Sequence, residues 1–253
     1  MKRIFFILII AINTLPAFAQ IVQDLESKAR PVELIHVAGQ EWFKDRSIRY
    51  HVNEFYIIDN RKVRGTPFLY RNWQSGTVTT AKGDSYSNYK LKYNVFNQTI
   101  FFSNGVDSLE ANEDVKEFTL IGHENNPSFD TVFRFINGSQ FKNNKDKTTN
   151  YYEILLESEK GKLVKLNKKV IIEESTGLPS AEGTMLFNLE TSFYYYDIKA
   201  AKFSRLRPNG SNIAEILKIN KEEEDFFKPE SYDLTQEAQV IELFKKFFQK
   251  RPF

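Results

Sequence analysis

The sequence contains no cysteine, which excludes disulfide bonds and thiolate metal ligands. The fold must therefore be stabilised by an ordinary hydrophobic core. The chain of 253 residues is long enough to bury one, as one large domain or two small ones. The absence of cysteine also excludes a lipoprotein, since the lipid is attached to a cysteine at the cleavage site.

The common catalytic motifs are absent as well. The chain has no G-x-S-x-G elbow, no H-E-x-x-H pair, no P-loop and no dinucleotide-binding fingerprint. Its three histidines, His36, His51 and His123, are far apart, and none has the spacing of a metal ligand pair. We therefore expect no cofactor and no metal, and no catalytic residue can be named. Acidic side chains that converge in space would still permit a carboxylate-based hydrolase.

The N-terminus has the three regions of a cleavable signal peptide. Lys2 and Arg3 precede an apolar run from residue 4 to residue 12, and Ala17-Phe18-Ala19 supplies the small residues that a signal peptidase requires. A transmembrane anchor is the alternative, but a span needs about 20 apolar residues. The pattern predicts cleavage after Ala19 and a periplasmic or secreted protein.

Charge and hydropathy restrict the partners of the exported chain. Removing Lys2 and Arg3 lowers the basic count from 35 to 33, which equals the 33 acidic residues. A chain without net charge is a poor candidate for nucleic acid binding, which needs a concentrated basic surface. No later apolar run has the length of a membrane span, so we expect no transmembrane span after removal of the signal peptide.

Short strands separated by turns dominate the middle of the chain, where Phe and Tyr are abundant. Lys82-Gly83-Asp84 and Asn104-Gly105 predict hairpin turns, and Tyr89, Leu91, Tyr93 and Val95 alternate with polar residues including Asn94. Such alternation is typical of an antiparallel strand with one buried face. The predicted strands are 77–81, 86–95, 99–103, 106–111, 115–121, 130–136, 151–158, 162–172, 192–198 and 201–207.

The C-terminal part of the sequence has a helical period. Apolar residues from Val240 to Phe248 fall on one arc of a helical wheel, and residues 211–219 predict a second, shorter helix. Asp233 and Gln236 resemble a capping box. The sequence thus predicts a mainly β protein of the α+β type, an antiparallel meander forming a sandwich or open barrel. Residues 20–207 form the β domain, and residues 208–253 form a helical tail packed on the sheet.

Two surface hypotheses concern single segments. The Tyr194-Tyr195-Tyr196 run could stack on sugar rings, but alternation places aromatic side chains on both faces of the strand, which favours a strand covered on both sides. Asp107-Ser108-Leu109 and Asp130-Thr131-Val132 match an Asp-[Ser/Thr]-apolar pattern of O-glycosylation in some Gram-negative bacteria. Both tripeptides also fit plain strand and turn chemistry, which the commonness of chance matches to so short a pattern favours.

Several blocks together carry a resemblance. They are Gly65-Thr66-Pro67-Phe68-Leu69, the Trp73-x-x-Gly76-x-Val78 block, Leu91-Lys92-Tyr93-Asn94, Phe193 to Tyr196, Phe203 to Arg207, Ile213 to Leu217 and the closing helix. The chain resembles a group of exported proteins of Gram-negative bacteria in which the first three of these blocks precede a strand-rich body and a helical tail. The resemblance implies that fold, and it brings no activity or site residue.

The functional expectation follows from these exclusions. We expect a non-enzymatic exported protein of the cell envelope, acting as a structural or interaction module with an unidentified protein or glycan partner. The alternatives are a carboxylate-based hydrolase, which requires two acids about 5–9 Å apart in a cavity, and a ligand-binding β-barrel, which requires an apolar central cavity.

Overall fold

The computed structural model describes residues 30–31, 34–37, 40–43, 48–50, 55–58, 61–103, 108–111, 115–122, 131–144, 149–174 and 184–250. The signal peptide, His51, His123 and the Asn104-Gly105 turn predicted from the sequence lie outside these residues.

Strands form most of the described chain. They are β1 (Arg30–Pro31), β2 (Leu34–Val37), β3 (Gln40–Phe43), β4 (Ile48–Tyr50), β5 (Phe55–Ile58), β6 (Arg61–Arg64), β7 (Gln74–Thr80), β8 (Ser85–Asn94), β9 (Thr99–Ser103), β10 (Ser108–Glu110), β11 (Val115–Gly122), β12 (Thr131–Asn137), β13 (Tyr151–Glu157), β14 (Gly161–Glu174), β15 (Thr184–Asp197) and β16 (Lys202–Arg205). Three helices follow: α1 (Gly210–Leu217), α2 (Lys221–Phe227) and α3 (Glu237–Lys250).

One sheet of 14 strands organises the molecule. Its order is β1-β10-β9-β8-β7-β11-β12-β13-β14-β15-β6-β5-β4, with β16 also paired to β15, while β2 and β3 form a separate pair. All neighbours are antiparallel except β15 and β6. Among the described strands, the path ends at β1 and β4 without joining them, so the sheet is open. The predicted mainly β class with C-terminal helices is confirmed, in the form of an open sheet.

The sheet curls around an aromatic core. Tyr93 of β8 packs edge to face against Phe118 of β11, at 5.2 Å between ring centroids, and against Tyr151 of β13, at 5.9 Å. Phe118 and Phe135 stack at 4.7 Å. All four rings are buried. Because β8 and β13 are not neighbours in the sheet, these contacts require it to bend back on itself.

The helices pack on the same face as this core, at its β13–β15 end. Phe244 of α3 is fully buried and lies 5.4 Å from the ring of Tyr195, in a cluster with Leu163, Leu217 and Leu243. The buried side of α3 follows the apolar arc read from the sequence. No helix among the described residues has the length and apolar character needed to cross a membrane.

Both faces of the tyrosine run are covered, as its alternation predicts. Phe193 and Tyr195 pack beneath the helices. Tyr194 and Tyr196 pack on the opposite face against Phe203, with which Tyr194 stacks at 5.1 Å. The run therefore belongs to the core, and the alternative of an open sugar-stacking platform is wrong.

Some local expectations from the sequence are wrong. Alternation predicts Asn94 on the wet face, but the residue is fully buried. Its Oδ1 accepts hydrogen bonds from the backbone N–H groups of Phe96 and Asn97 in the following turn. The capping box at the start of α3 does not form with Gln236. Instead, the N–H of Asp233 donates to Oε1 of Gln239 at 2.7 Å.

Other elements were missed or placed slightly differently. Helix α2 and residues 184–191 of β15 were not predicted, and the shorter helix spans 210–217. The Lys82-Gly83-Asp84 turn is confirmed, with Gly83 at a φ of +93° that favours glycine.

Candidate functional site

The candidate site is a groove at the edge of the sheet where the chain passes from β16 into α1. Pro208 has no N–H and cannot extend the ladder of β16, so the chain leaves the sheet there. Asn209 then caps α1: its Oδ1 accepts from the N–H of Asn212 at 2.8 Å and from the hydroxyl of Ser211 at 2.7 Å. The cap and the proline together fix the bend that opens the groove.

The groove is open, polar and of ligand size. Its volume is about 750 Å³. Thr191 and Ser192 of β15, the β16 segment, α1 and the Leu234-Thr235 turn line it. A volume in this range can accommodate a small molecule or a few residues of a peptide.

Positive charge dominates the wall of the groove. Lys202, Arg205 and Arg207 line it against a single acid, Glu215. All four side chains are exposed, and none of them has an ion pair with another described residue. The guanidinium of Arg205 donates to the hydroxyl of Ser192 at 3.0 Å, which fixes its position beside β15. Unpaired cations at a concave wall attract an anionic ligand.

A buried polar network lies beside the groove. The carboxylate of Glu153 accepts from Nδ2 of Asn167 at 3.1 Å and from the ammonium of Lys165 at 2.9 Å. The same ammonium lies 2.8 Å from the carboxylate of Glu237 in the first turn of α3. Thr191, which lines the groove, donates its hydroxyl to Oδ1 of Asn167 at 3.3 Å. The network thus connects the groove wall to the docking of α3.

Gln98 extends this network into the aromatic core. Its Oε1 accepts from the hydroxyl of Tyr93 at 2.6 Å and from the N–H of Tyr151 at 3.1 Å. Its Nε2 donates to the carbonyl oxygens of Val95 and Asn167 at 3.0 and 3.2 Å. The β8–β9 turn is therefore attached to β13 and β14, which holds the curl of the sheet.

Burial determines the electrostatics of the network. Burial raises the pKa of Glu153 above its ordinary value, and the neighbouring Lys165 only partly opposes this. For Lys165, burial acts to lower the pKa, but the carboxylates of Glu153 and Glu237 outweigh it and raise the pKa. The ammonium is therefore held in its charged form. Burial also raises the pKa of Tyr93 far above its ordinary value, so its hydroxyl keeps its proton.

This carboxylate pair does not have the arrangement of a hydrolase. Both Glu153 and Glu237 contact the one ammonium of Lys165, which occupies the space where a glycosidic bond would have to lie. Glu153 is only 5% exposed, and neither acid lines the groove. The network is suited to holding α3 against the sheet.

The ligand-binding barrel also lacks support in the described core. The space inside the curl is filled by Tyr93, Phe118, Phe135 and Tyr151 in mutual contact. Within the ranges that the structure describes, no group of three or more His, Asp or Glu side chains is placed to hold a metal ion. Of the three histidines, only the backbone of His36 is described, in β2.

Comparison with family models, with curated proteins and with solved structures finds no match to this chain.

The sequence predicts no functional role for any residue of this groove or network. The signal for the groove was present in the segment from Lys202 to Arg207, which carries three cations and no acid directly before Pro208. The signal for the network was weaker. Glu153 and Lys165 lie in the predicted strands 151–158 and 162–172, and the polar residues from Lys162 to Lys169 predict a face in contact with water. Only the register, which pairs the two residues directly, shows that they meet.

Proposed function

We propose that this chain is a non-enzymatic exported protein of the cell envelope that acts as an interaction module and holds an anionic partner in the groove. The observation that supports this most is the set of three exposed cations, Lys202, Arg205 and Arg207, on the wall of one concave surface without ion pairs among the described residues. A groove without a second carboxylate or a nucleophile–base pair is suited to binding and not to hydrolysis.

Export is the first part of the proposal. The signal peptide pattern supports a periplasmic or secreted protein that begins at Gln20. Intact mass of the protein released by osmotic shock tests it. We expect the mass of residues 20–253. A species in the envelope that retains residues 1–19 would contradict cleavage.

The interaction is tested by purification of the tagged full chain from its own envelope. The double variant Lys202→Glu/Arg207→Glu reverses two groove charges, and Lys199→Glu reverses a matched exposed charge outside the groove. We expect the same partner with the wild type and with Lys199→Glu, and its loss with the double variant. Identical recovery with all three proteins would remove the groove from the proposal.

A further inference from the structure

One edge of β15 is only partly occupied. Strand β14 pairs with it from Thr184 to Asp197. On the opposite edge, β6 pairs with Met185 and Leu186, and β16 begins at Tyr194, with Leu206 donating its N–H to the carbonyl of Phe193 at 2.8 Å. Residues 187–192 have no strand partner on this edge in the part of the chain that the structure describes.

Two chain-breaking residues limit the gap. After β6, Gly65 takes a φ of +95°, which lies outside the extended range of a strand, so β6 ends at Arg64. On the other side, the register that pairs Tyr194 with Arg205 would place Pro208 opposite Thr191. Pro208 has no N–H to donate there. Neither neighbouring strand can therefore extend to fill the gap, which is about 20 Å long for six residues.

The backbone in the gap is oriented for pairing. Because the carbonyl of Phe193 points to the β16 edge, alternation directs the N–H and C=O groups of Thr191 and Leu189 to the same edge. Both residues are exposed, and Leu189 is 46% accessible. A row of such groups is a template for an added strand.

The charges beside the gap select the partner. The basic groove begins at Thr191 and Ser192, beside Arg207, and continues along β16 to Lys202, so a strand in the gap would run into it. The one acid of the gap, Glu190, stands directly opposite Lys168 of β14. The end of an incoming strand would lie nearest Arg207. Arg205 and Lys202 follow along the groove, whose one acid is Glu215, and this charge favours acidic side chains.

We infer that an extended acidic segment of a partner protein adds as a strand to residues 187–192 of β15 and places its carboxylates in the groove. This inference depends on the proposed function and specifies the partner: a protein segment that hydrogen-bonds through its backbone, and not a glycan.

The test uses the full exported chain and a fluorescein-labelled ten-residue peptide of alternating Glu and Val, with a peptide of alternating Lys and Val as its control. Binding is measured by fluorescence anisotropy, and protection of the Leu189 and Thr191 amides by hydrogen exchange. We expect saturable binding of the acidic peptide only, with slower exchange at both amides. Arg207→Glu should weaken the affinity for the acidic peptide at least about fivefold, and Lys199→Glu should leave this affinity unchanged.

Thr191→Pro removes one N–H that faces the open edge, together with the hydroxyl that donates to Asn167, and it leaves the backbone groups of Glu190 and Ser192 that face β14 in place. It should abolish binding. The thermal unfolding curve of this variant checks that it is folded. Arg207→Glu changes only an exposed side chain, so its effect on peptide binding tests the inference even if Thr191→Pro does not fold. Equal binding of polygalacturonate, without amide protection, would overturn the added strand while supporting an anion-binding groove. Failure of the acidic peptide to bind would overturn the inference alone, because co-purification tests the proposed function separately.

Discussion

The ammonium group of Lys165 lies 2.9 Å from the carboxylate of Glu153, and the two residues face each other directly in the register of β13 and β14. Both side chains are largely buried, at 11% and 6% exposure. The pair occupies the boundary between the aromatic core and the helical cluster, where Glu237 of α3 completes it. The position of α3, and with it the groove wall at Leu234 and Thr235, depends on this contact.

Removal of the Lys165 ammonium should lower the stability of the fold. Lys165→Met leaves the buried carboxylate of Glu153 without its charged partner, and we expect a loss of about 3–5 kcal/mol in the free energy of unfolding at neutral pH. Urea denaturation measures it. Lys168→Met, at an exposed position of the same strand, should change stability by less than about 0.5 kcal/mol. Similar losses in both variants would show that the ion pair contributes nothing specific.

The raised pKa of Glu153 predicts a pH dependence of stability. Between the unfolded value of 4.5 and the raised folded value, the folded state binds a proton that the unfolded state does not. Stability contributed by this group therefore rises as pH falls through that window. The neutral amide of Glu153→Gln cannot titrate. The unfolding free energy of the wild type, relative to that of the variant, should therefore increase as pH falls through this window and stay constant at higher and lower pH. A difference that is constant over the whole acid range would contradict the raised pKa.

The packing of α3 predicts the effect of Phe244→Ala. The side chain is fully buried against Tyr195, so its truncation should cost about 3–5 kcal/mol. Lys245→Ala, on the exposed side of the same turn, is the matched control. Differential scanning calorimetry compares them. Equal melting temperatures of wild type and Phe244→Ala, together with a loss of liposome binding, would show that the arc faces lipid and not the sheet.

Gly76 connects the Trp-x-x-Gly-x-Val block to the geometry of the sheet. A Cβ at this position would lie 2.1 Å from the carbonyl oxygen of Thr119 in β11 and 2.7 Å from Leu91. Gly76→Ala should therefore separate β7 from β11 locally and cost about 1–3 kcal/mol, as measured by urea denaturation. The neighbouring Ser75→Ala loses only the acceptor of an exposed lysine and should be nearly neutral. A neutral Gly76→Ala would mean that the strands can separate without cost.

The sequence predicted the local structure better than the long-range contacts. The buried positions of Leu91 and Tyr93 follow from period-two alternation, and that of Phe244 follows from the helical arc. Both could be predicted because burial in a strand or helix follows directly from its period. The burial of Asn94 was not predictable in this way, since it depends on a turn that its own side chain caps. Neither was the network of Gln98, which joins residues 69 positions apart through the curl of the sheet.

The groove was missed for a related reason. The predicted strand 201–207 contains Arg205 and Arg207, and alternation indicates which face they share but not which other elements come near them. The segment from Lys202 to Arg207 lines a groove only because the chain leaves the sheet at Pro208 and because α1 and Thr235 then pack opposite that segment. The predicted strand 192–198 covers only the aromatic half of β15, which begins at Thr184, so the open edge at Leu189 could not be predicted.

The most direct test of a partner-binding groove is photo-crosslinking in living cells. Benzoylphenylalanine replaces Glu215, which lines the groove and is exposed, or Lys199, which is exposed outside it. We predict a light-dependent adduct of one defined protein from position 215 and none from position 199, and its loss in the Lys202→Glu/Arg207→Glu background. Adducts of equal yield from both positions, or an adduct that persists after the charge reversal, would contradict the account.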